Sequence, residues 1–260
     1  MAPQKVVLSF TGGKDSTLVL HILSKSPELY NVALLCTFVP AKAKPFLSHK
    51  LELIQAIAKA VGVPHRVLVI DPGQPAESSE NSDAANQSCA TATGRNDFLS
   101  CYVAQMQLLK SEGIEAFANG DIEDVCSDFM GKAARAAGLP LVRPLWEVPR
   151  PKLLAQLYDE FALKFIVTCV NSTAIPREVA ALMLGRVLTK ELLAHCLSQP
   201  GCESVDQCGE NGEFHTMVLD GPLYQQRINI PRGKITESEG GLYLFWDFSD
   251  FSLKTKDGRS

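Results

Sequence analysis

Short apolar runs alternate with helix-like periods through the first 146 residues of the chain. Runs rich in β-branched and aliphatic residues predict buried strands, here at residues 5–10, 31–39, 65–71, 114–122 and 140–146. Apolar positions at helical spacing predict helices just after residues 11–16 and at 48–61, 96–112 and 127–138. Strands that alternate with helices favour an α/β fold, with a parallel sheet covered on both faces.

The pattern changes after Trp146. Residues 152–161 and 176–196 have helical periods, residues 164–171 form an apolar run, and the tail alternates like strands at 225–230 and 242–248. We therefore expect two domains, residues 1–146 and a smaller mixed α/β domain at 147–260. Residues 72–94 are rich in Pro, Ser, Asn and Gly, which is typical of a long loop.

Composition and charge exclude several classes of protein. The net charge is −4 without blocks of like charge, which disfavours a nucleic-acid or membrane-surface partner. The chain begins without a signal-peptide pattern, and its apolar runs are shorter than the ~20 residues that span a bilayer. Eight scattered cysteines without a Cys-x-x-Cys pair disfavour a zinc ribbon or dithiol site and predict a reducing, cytoplasmic location.

The turn after the first strand has the composition of an anion site. It reads Thr-Gly-Gly-Lys-Asp-Ser from Thr11 to Ser16, and an ordinary P-loop does not fit because Leu8 occupies the place of its first glycine. Paired glycines let backbone N–H groups approach an anion, and the following helix N-terminus and Lys14 add positive charge. A tight turn with Asp15 or Ser16 as the helix N-cap is the alternative.

Gly120 and Asp121 end the fourth predicted strand. The carboxyl ends of parallel strands share one rim of the sheet, so we expect both residues near the glycine turn. A carboxylate there can hold Mg²⁺ on phosphates. The alternative role for Asp121 is to cap the helix that follows.

A second polar cluster lies in the turn at residues 208–216, which reads Cys-Gly-Glu-Asn-Gly-Glu-Phe-His-Thr. Glu210, Glu213 and His215 could position a substrate or transfer a proton; otherwise they are surface charges and a structural histidine. Cys208 is either a nucleophile or, more simply, part of the turn's packing. The other four histidines are interpreted as structural or exposed, namely His21, His49, His65 and His195.

These motifs together resemble a known family. The Thr11–Ser16 turn is similar to the Ser-Gly-Gly-x-Asp-Ser loop of the ATP pyrophosphatases. The turn at 208–216, Gly-Asp-Ile at 120–122 and Pro-Leu-Trp at 144–146 resemble the diphthine–ammonia ligase family. The resemblance implies a five-stranded parallel sheet of the adenine-nucleotide α-hydrolase type. It also implies cleavage of ATP between the α and β phosphates, adenylation of a carboxylate and its amidation by ammonia, the family's acceptor being diphthine on elongation factor 2.

The resemblance assigns roles to residues of this chain. The expected ligands are ATP and Mg²⁺, with Asp121 as the metal ligand. The catalytic candidates are Lys14, Asp121, Glu210, Glu213 and His215. The ATP-binding candidates are Ser9, Thr11, Gly12, Gly13, Lys14, Asp15, Ser16, Thr37 and Gly120. The substrate-binding candidates are Asn211, Gly212, Thr216 and Trp146, the last being a packing anchor in the alternative.

Departures from the family pattern keep the acceptor open. Residues 123–126 replace a Ser-Asp-Tyr-Gln-Arg-like segment, and Asn211 and His215 replace a glycine and a glutamate. The acceptor is therefore diphthine or a small-metabolite carboxylate, and the nitrogen donor is ammonia or an amine. A tRNA-modifying sulfur transferase is disfavoured by the cysteine spacing and the acidic pI. A non-catalytic nucleotide-binding regulator is the remaining alternative.

Overall fold

The computed structural model describes residues 2–42, 47–72, 97–124 and 126–256. Its strands are β1 (Gln4–Ser9), β2 (Tyr30–Pro40), β3 (His65–Ile70), β4 (Ala116–Ala118), β5 (Leu141–Val142), β6 (Lys164–Asn171), β7 (Phe214–Asp220), β8 (Gln226–Asn229), β9 (Lys234–Glu237), β10 (Tyr243–Asp247) and β11 (Ser252–Thr255). Its α-helices are α1 (Lys14–Ser24), α2 (Leu51–Val61), α3 (Phe98–Ser111), α4 (Phe129–Ala137), α5 (Arg150–Ala155), α6 (Arg177–Met183) and α7 (Lys190–Leu197).

The first sheet is parallel and has five strands in the order β3-β2-β1-β4-β5. Side chains alternate across it, as a strand requires. Val6 and Leu8 of β1 belong to one buried cluster, whereas Val7 packs into a second cluster with Phe117 and helices α3 and α4. The predicted α/β fold with a five-stranded parallel sheet is confirmed.

The second sheet is antiparallel, in the order β7-β6-β10-β9, and β8 pairs separately with β11. Strand β7 forms one edge of this sheet, and that edge lies against the glycine turn, because the Val218 N–H donates to the Gly12 carbonyl over 2.8 Å. One buried cluster includes Leu8 and Leu18 of the first sheet's layer together with Phe165 and Val218 of the second. The two-domain division stays a prediction.

Several predicted elements differ from those observed. The fourth strand has three residues rather than nine, since the chain leaves the sheet at the polar Asn119. The helix predicted from Asn96 is capped by Asp97, which accepts from the Ser100 N–H, and Asn96 is outside the described residues. The helix predicted from residue 127 begins at Phe129, because Ser127 and Asp128 have φ of +52° and +50°.

Three further predictions concern a helix, two strands and a loop. The helix predicted at 152–161 is α5 followed by a π-helical turn, Gln156–Glu160. Strands β9 and β11 were not predicted, because their residues are mostly polar and exposed. The loop predicted at 72–94 lies almost entirely outside the described residues. Within the part of the chain that is described, no helix is both long enough and apolar enough to cross a membrane.

Candidate functional site

The glycine turn joins β1 to α1 in a conformation that needs glycine. Gly12 has φ of +70°, and a Cβ atom there would lie 2.9 Å from Cδ1 of Ile57. Gly13 is the helix N-cap, with φ of −73°, and it has no side chain that could cap the helix. The alternative in which Asp15 or Ser16 is the N-cap is therefore wrong.

Lys14 is the charged centre of the turn. Its side chain is only 5% exposed, and its Nζ lies 2.7 Å from Oδ2 of Asp15 and 5.8 Å from the centre of the Phe214 ring. Burial alone would lower the pKa of the ammonium, but Asp15, with Cys208 and Glu210 nearby, more than offsets it and raises the pKa. Lys14 is therefore a permanent buried cation that faces the turn at 208–216.

The rim of the fourth strand contacts the glycine turn as expected. A Cβ atom on Gly120 would lie 3.0 Å from the Ser16 backbone nitrogen and 3.1 Å from the Asp15 carbonyl carbon. A side chain here would require the backbone of the neighbouring segment to move by a few tenths of an ångström. Asp121 follows directly and is held by the Asn119 amide. Burial raises the pKa of the Asp121 carboxyl, and the Asn119 hydrogen bond partly opposes that change.

Asp121 does not cap the next helix, since Asp128 is the residue that precedes α4. The carboxylate is therefore available for another role. Among the described residues, no group of three or more His, Cys, Asp or Glu side chains is arranged to hold a metal ion. A Mg²⁺ ion at Asp121 would need phosphate oxygens and water for its remaining ligands, which is how proteins usually bind this ion.

Strand β7 forms a wall of the glycine turn. The Lys14 backbone N–H donates to Oγ1 of Thr216 over 3.1 Å, and a Cβ atom on Gly13 would lie 3.2 Å from the Thr216 carbonyl oxygen. Thr216 is thus brought to the turn from 202 residues away. It contacts the predicted phosphate loop and binds one of its amides, while its predicted substrate contact stays a prediction.

Glu210 reaches the same rim from the other side. Its Oε1 accepts from the Ile122 N–H over 3.1 Å. Burial raises the pKa of the Glu210 carboxyl to about 7, with Asp15 and Asp121 raising it further while the Ile122 hydrogen bond and Lys14 oppose them. A carboxyl group that titrates near neutrality is suited to accept or donate a proton in turnover.

Glu213 has a different environment in the same turn. It is 4% exposed, its Oε1 accepts from the Asp206 N–H and its Oε2 from the Asn211 N–H, each over 2.9 Å. The side-chain amide of Asn211 donates a third hydrogen bond, to Oε1 of Glu213 over 3.4 Å. Both oxygens of Glu213 therefore hold the turn in shape, and Gly212, at φ of +79°, allows the chain to wrap around them.

His215 pairs with a histidine that the sequence interpretation treated as structural or exposed. The rings of His215 and His49 meet edge to face, with centroids 5.2 Å apart. Burial lowers the pKa of His49 to about 3, and burial with the nearby Lys14 lowers the pKa of His215 as well. Both rings are neutral at pH 7. The sequence predicted a helix from Ser48, which would include His49. The helix α2 begins at Leu51, so His49 lies just before it.

Three further candidates are held by contacts of their own. Ser9 is the last residue of β1 and pairs in register with Cys36. The Thr37 hydroxyl donates to the Phe10 carbonyl oxygen over 2.6 Å and lies 2.8 Å from Nε2 of His65. The Thr37 hydroxyl therefore contacts the residue that follows β1 and the first residue of β3. Cys208 is fully buried, and burial raises the pKa of its thiol to about 12, which does not suit a nucleophile.

Trp146 stands at a cavity of about 360 Å³ beside Asp121. The Arg143 guanidinium stacks on its ring at 3.8 Å. Arg143 is fixed in turn by the Asp128 carboxylate, 3.0 Å away. Sequence reasoning missed Arg143, Asn119 and His49, because each acquires its place through contacts with distant segments. The one signal in the sequence for Arg143 was its position directly before the Pro-Leu-Trp motif at residues 144–146.

Comparisons with known proteins bear on the C-terminal part of the chain. Residues 152–249 match the family model described as the diphthamide synthase C-terminal domain. No curated protein matches the sequence.

Two solved structures are similar in part. One is described as a predicted subunit of tRNA methyltransferase from Methanocaldococcus jannaschii; it is 16% identical over 84% of this chain and 98% of that chain, with a TM-score of 0.40. The other is the U34-tRNA thiolase NcsA from Methanococcus maripaludis with its 4Fe-4S cluster; it is 14% identical over 60% of this chain and 56% of that chain, with a TM-score of 0.35.

The family match includes β6, β7 and the turn between residues 208 and 216, which carries Glu210 and His215. It therefore covers the motif on which the sequence resemblance to the diphthine–ammonia ligase family depended most. That resemblance is confirmed: residues 152–249 of this chain are similar to the C-terminal domain of diphthamide synthase.

Proposed function

We propose that this chain is an ATP-dependent amide ligase. In the proposed reaction, ATP is cleaved between its α and β phosphates, a carboxylate is adenylated, and a nitrogen nucleophile displaces AMP. The observation that carries the proposal is the position of Lys14, buried at the N-terminus of α1 and close to the Glu210 carboxyl across the glycine turn. A permanent buried cation at a helix N-terminus is a preorganised site for departing pyrophosphate.

The residues present fit the phosphates of ATP. Gly12, Gly13 and Gly120 leave space that side chains would fill, and the backbone amides at the start of α1 carry the partial positive charge of the helix. Thr11 is exposed and Asp15 partly so, which gives solvent access to the outer face of the turn. A phosphate group entering there would compete with Asp15 for the Lys14 ammonium.

Asp121 remains the predicted ligand for Mg²⁺. Its carboxylate adjoins the glycine turn through Gly120, and one of its oxygens is left after the Asn119 bond. When bound, the ion would neutralise charge on the phosphates. Ser9 and Thr37 stay predicted contacts to the nucleotide, through their backbone groups at the ends of β1 and β2.

Glu210 is the proposed proton acceptor for the incoming nitrogen. Its pKa of about 7 leaves it divided between ionised and neutral forms at neutral pH. Glu213 is proposed to act through the turn, since its oxygens hold the backbone of Asp206 and Asn211. His215, being neutral, is a candidate donor or acceptor for the carboxylate substrate, and the predicted substrate contacts of Asn211 and Gly212 lie on the same turn.

The acceptor carboxylate is proposed to be diphthine or a small metabolite. The match of residues 152–249 to the diphthamide synthase C-terminal domain supports the first. The departures at Glu123, Asp124 and Cys126 support the second, because these residues line the cavity beside Asp121, and so does the departure at His215, which lies on the strand that contacts the glycine turn. We place the reaction in the cytoplasm, since all seven cysteines that the structure describes are free thiols. A nucleic-acid partner is not part of the proposal.

The decisive experiment measures the products of ATP turnover. The protein is incubated with ATP, Mg²⁺, a nitrogen donor and candidate carboxylates, and the nucleotides are separated. AMP and pyrophosphate are expected in equal amounts. ADP and phosphate would contradict cleavage at the α phosphate, and tight ATP binding without any turnover would favour a nucleotide-binding regulator.

Lys14→Met tests the central residue. Methionine keeps most of the side-chain volume and removes the charge, so folding should be retained while AMP formation falls by at least about a hundredfold, the usual order for loss of a charge-stabilising group. Lys132→Met, on the outer part of α4, is the matched control and should be as active as wild type. AMP formation by Lys14→Met at the wild-type rate would refute the role of Lys14.

A further inference from the structure

A second opening adjoins the rim without being part of the phosphate turn. It is the cavity of about 360 Å³ at the segment between β4 and α4, and it extends to Trp146. Its walls combine carboxylates with apolar surface, the latter from Phe129, Met130 and the ring of Trp146. The volume is far larger than a molecule of ammonia requires, since a water molecule of similar size occupies about 30 Å³ in the liquid.

The charges of the walls are not balanced. Arg143 is the one cation among the lining residues, and its charge is shared with Asp128 at 3.0 Å. Glu123 is paired with Arg150 at 3.0 Å. Among the described residues, Asp124 accepts a backbone N–H from Asp128 at 2.7 Å. Among the described residues, no Lys or Arg forms an ion pair with Asp121 or Asp124, although Arg143 acts on Asp121 from a longer distance and Asp128 has a second partner, Arg135, at 2.8 Å.

A buried amide next to the cavity wall is also incompletely bonded. Asn119 is 3% exposed, and its amide nitrogen donates to Asp121. Its Oδ1 is buried without a hydrogen-bond partner in the described part of the chain. An unsatisfied buried acceptor is uncommon in native structures and usually marks a missing donor.

We propose that this cavity binds an organic ammonium ion with a flat apolar body, and that this amine is the nitrogen donor of the ligase. The ammonium group would pair with Asp124, which leaves the free oxygen of Asp121 to Mg²⁺, and the apolar body would lie between the Trp146 ring and Phe129. A carboxylate acceptor is disfavoured here because two unpaired carboxylates would repel it. The role of the amine as nitrogen donor rests on the proposed function. The binding of an amine in this cavity does not depend on it.

In the reaction, the ammonium group gives one proton to the Glu210 carboxylate, the proposed proton acceptor. The amine nitrogen then forms a bond to the carbonyl carbon of the acyl-adenylate. The bond between that carbon and the phosphate oxygen breaks, and its electron pair leaves with AMP. The second proton on nitrogen passes to solvent. The product is a substituted amide, and no oxidant or reductant is required.

Cys126 provides a readout that does not depend on ATP. It lines the cavity, and of the cysteines that the structure describes it alone is exposed. The probe is 2-phenylethylammonium, compared with 3-phenylpropionate, which has a similar size and the opposite charge, and with ammonium chloride. Alkylation of Cys126 by iodoacetamide is followed by peptide mapping, which separates it from every other cysteine.

The expected result is that saturating 2-phenylethylammonium slows alkylation of Cys126 at least fivefold, while 3-phenylpropionate and ammonium chloride do not. Asp124→Asn should weaken this protection about tenfold or more, and Glu178→Gln, an exposed change on α6, should leave it intact. Protection by all three compounds, by none, or by Mg²⁺ but not by the amine would overturn the proposal.

The same amine then enters the turnover assay. Protection of Cys126 together with amine-dependent AMP formation supports both the site and its role as the donor site. Protection without any AMP formation supports the site and counts against the proposed ligase. AMP formation that needs ammonia and ignores the amine overturns the donor role, so the two proposals fail separately.

Discussion

At the scale of single residues, two glutamates three positions apart have acquired opposite environments. Glu213 is surrounded by backbone N–H groups that bond both of its oxygens. Glu210 has one such bond and lies near the carboxylates of Asp15 and Asp121. For Glu210, burial beside like charges favours the neutral form of the carboxyl. The sequence places both glutamates in one turn, but only the fold distinguishes a structural acceptor from a group poised to transfer a proton.

The raised pKa of Glu210 makes stability depend on pH. The folded protein keeps a proton on Glu210 up to about pH 7, whereas the unfolded chain loses it near pH 4.5. Stability should therefore fall as the pH rises through this window and stay level above it. Glu210→Gln removes this titration. The free energy of unfolding of the variant minus that of wild type should therefore be larger at about pH 8 than at about pH 5, by about 1–2 kcal/mol after allowance for partial exposure.

Urea unfolding of both proteins at the two pH values measures this difference. Glu178→Gln, whose side chain is exposed on α6, is the control and should differ from wild type by the same amount at both. A Glu210→Gln variant whose stability relative to wild type does not change with pH would contradict the raised pKa.

At the scale of elements, the site depends on a contact between the turns that follow β1 and β4. Their order in a parallel sheet was enough to predict that they share a rim. The closeness of the contact was not predictable, because strand four ends at Ala118 and leaves the backbone of Gly120 against Ser16. The turn at residues 208–216 was likewise recognisable, whereas the position of the following strand β7 on the glycine turn results from antiparallel pairing with β6.

Gly120→Ala tests that contact. The added Cβ would lie 3.0 Å from backbone that cannot move cheaply, so the variant should lose about 1–3 kcal/mol of stability and most of its affinity for ATP. Gly113→Ala is the control: φ there is +91°, and a Cβ would meet nothing within 4 Å. It should cost about 1 kcal/mol through backbone strain alone and leave ATP binding unchanged.

Urea unfolding gives the stabilities, and the shift of the thermal midpoint on adding ATP gives the binding. Equal ATP responses from the two alanine variants would show that the approach of the two turns does not matter for the nucleotide.

At the scale of the whole molecule, patterning predicted the sheet, and motif order predicted most of the site's segments. Roles that depend on contacts across more than 100 residues were not accessible. Thr216 binds the Lys14 amide, and Thr168, a β6 residue beside the site, donates to the Ser48 carbonyl next to His49. Such pairs follow from how the second sheet is laid on the first. Periodicity within a segment carries no information about that placement.

The change of pattern at Trp146 predicted two domains, yet one buried cluster joins the two sheets. If this shared core dominates, the chain should unfold in urea in one transition, identical by far-ultraviolet circular dichroism and by tryptophan fluorescence. Leu8→Ala in the first sheet and Leu244→Ala in the second remove matched buried side chains, 0% and 3% exposed. Each should lower the free energy of that single transition by about 2–5 kcal/mol. Independent domains would instead give two transitions, and each variant would then move only its own, because a cavity in one core cannot weaken a neighbour that shares no packing with it.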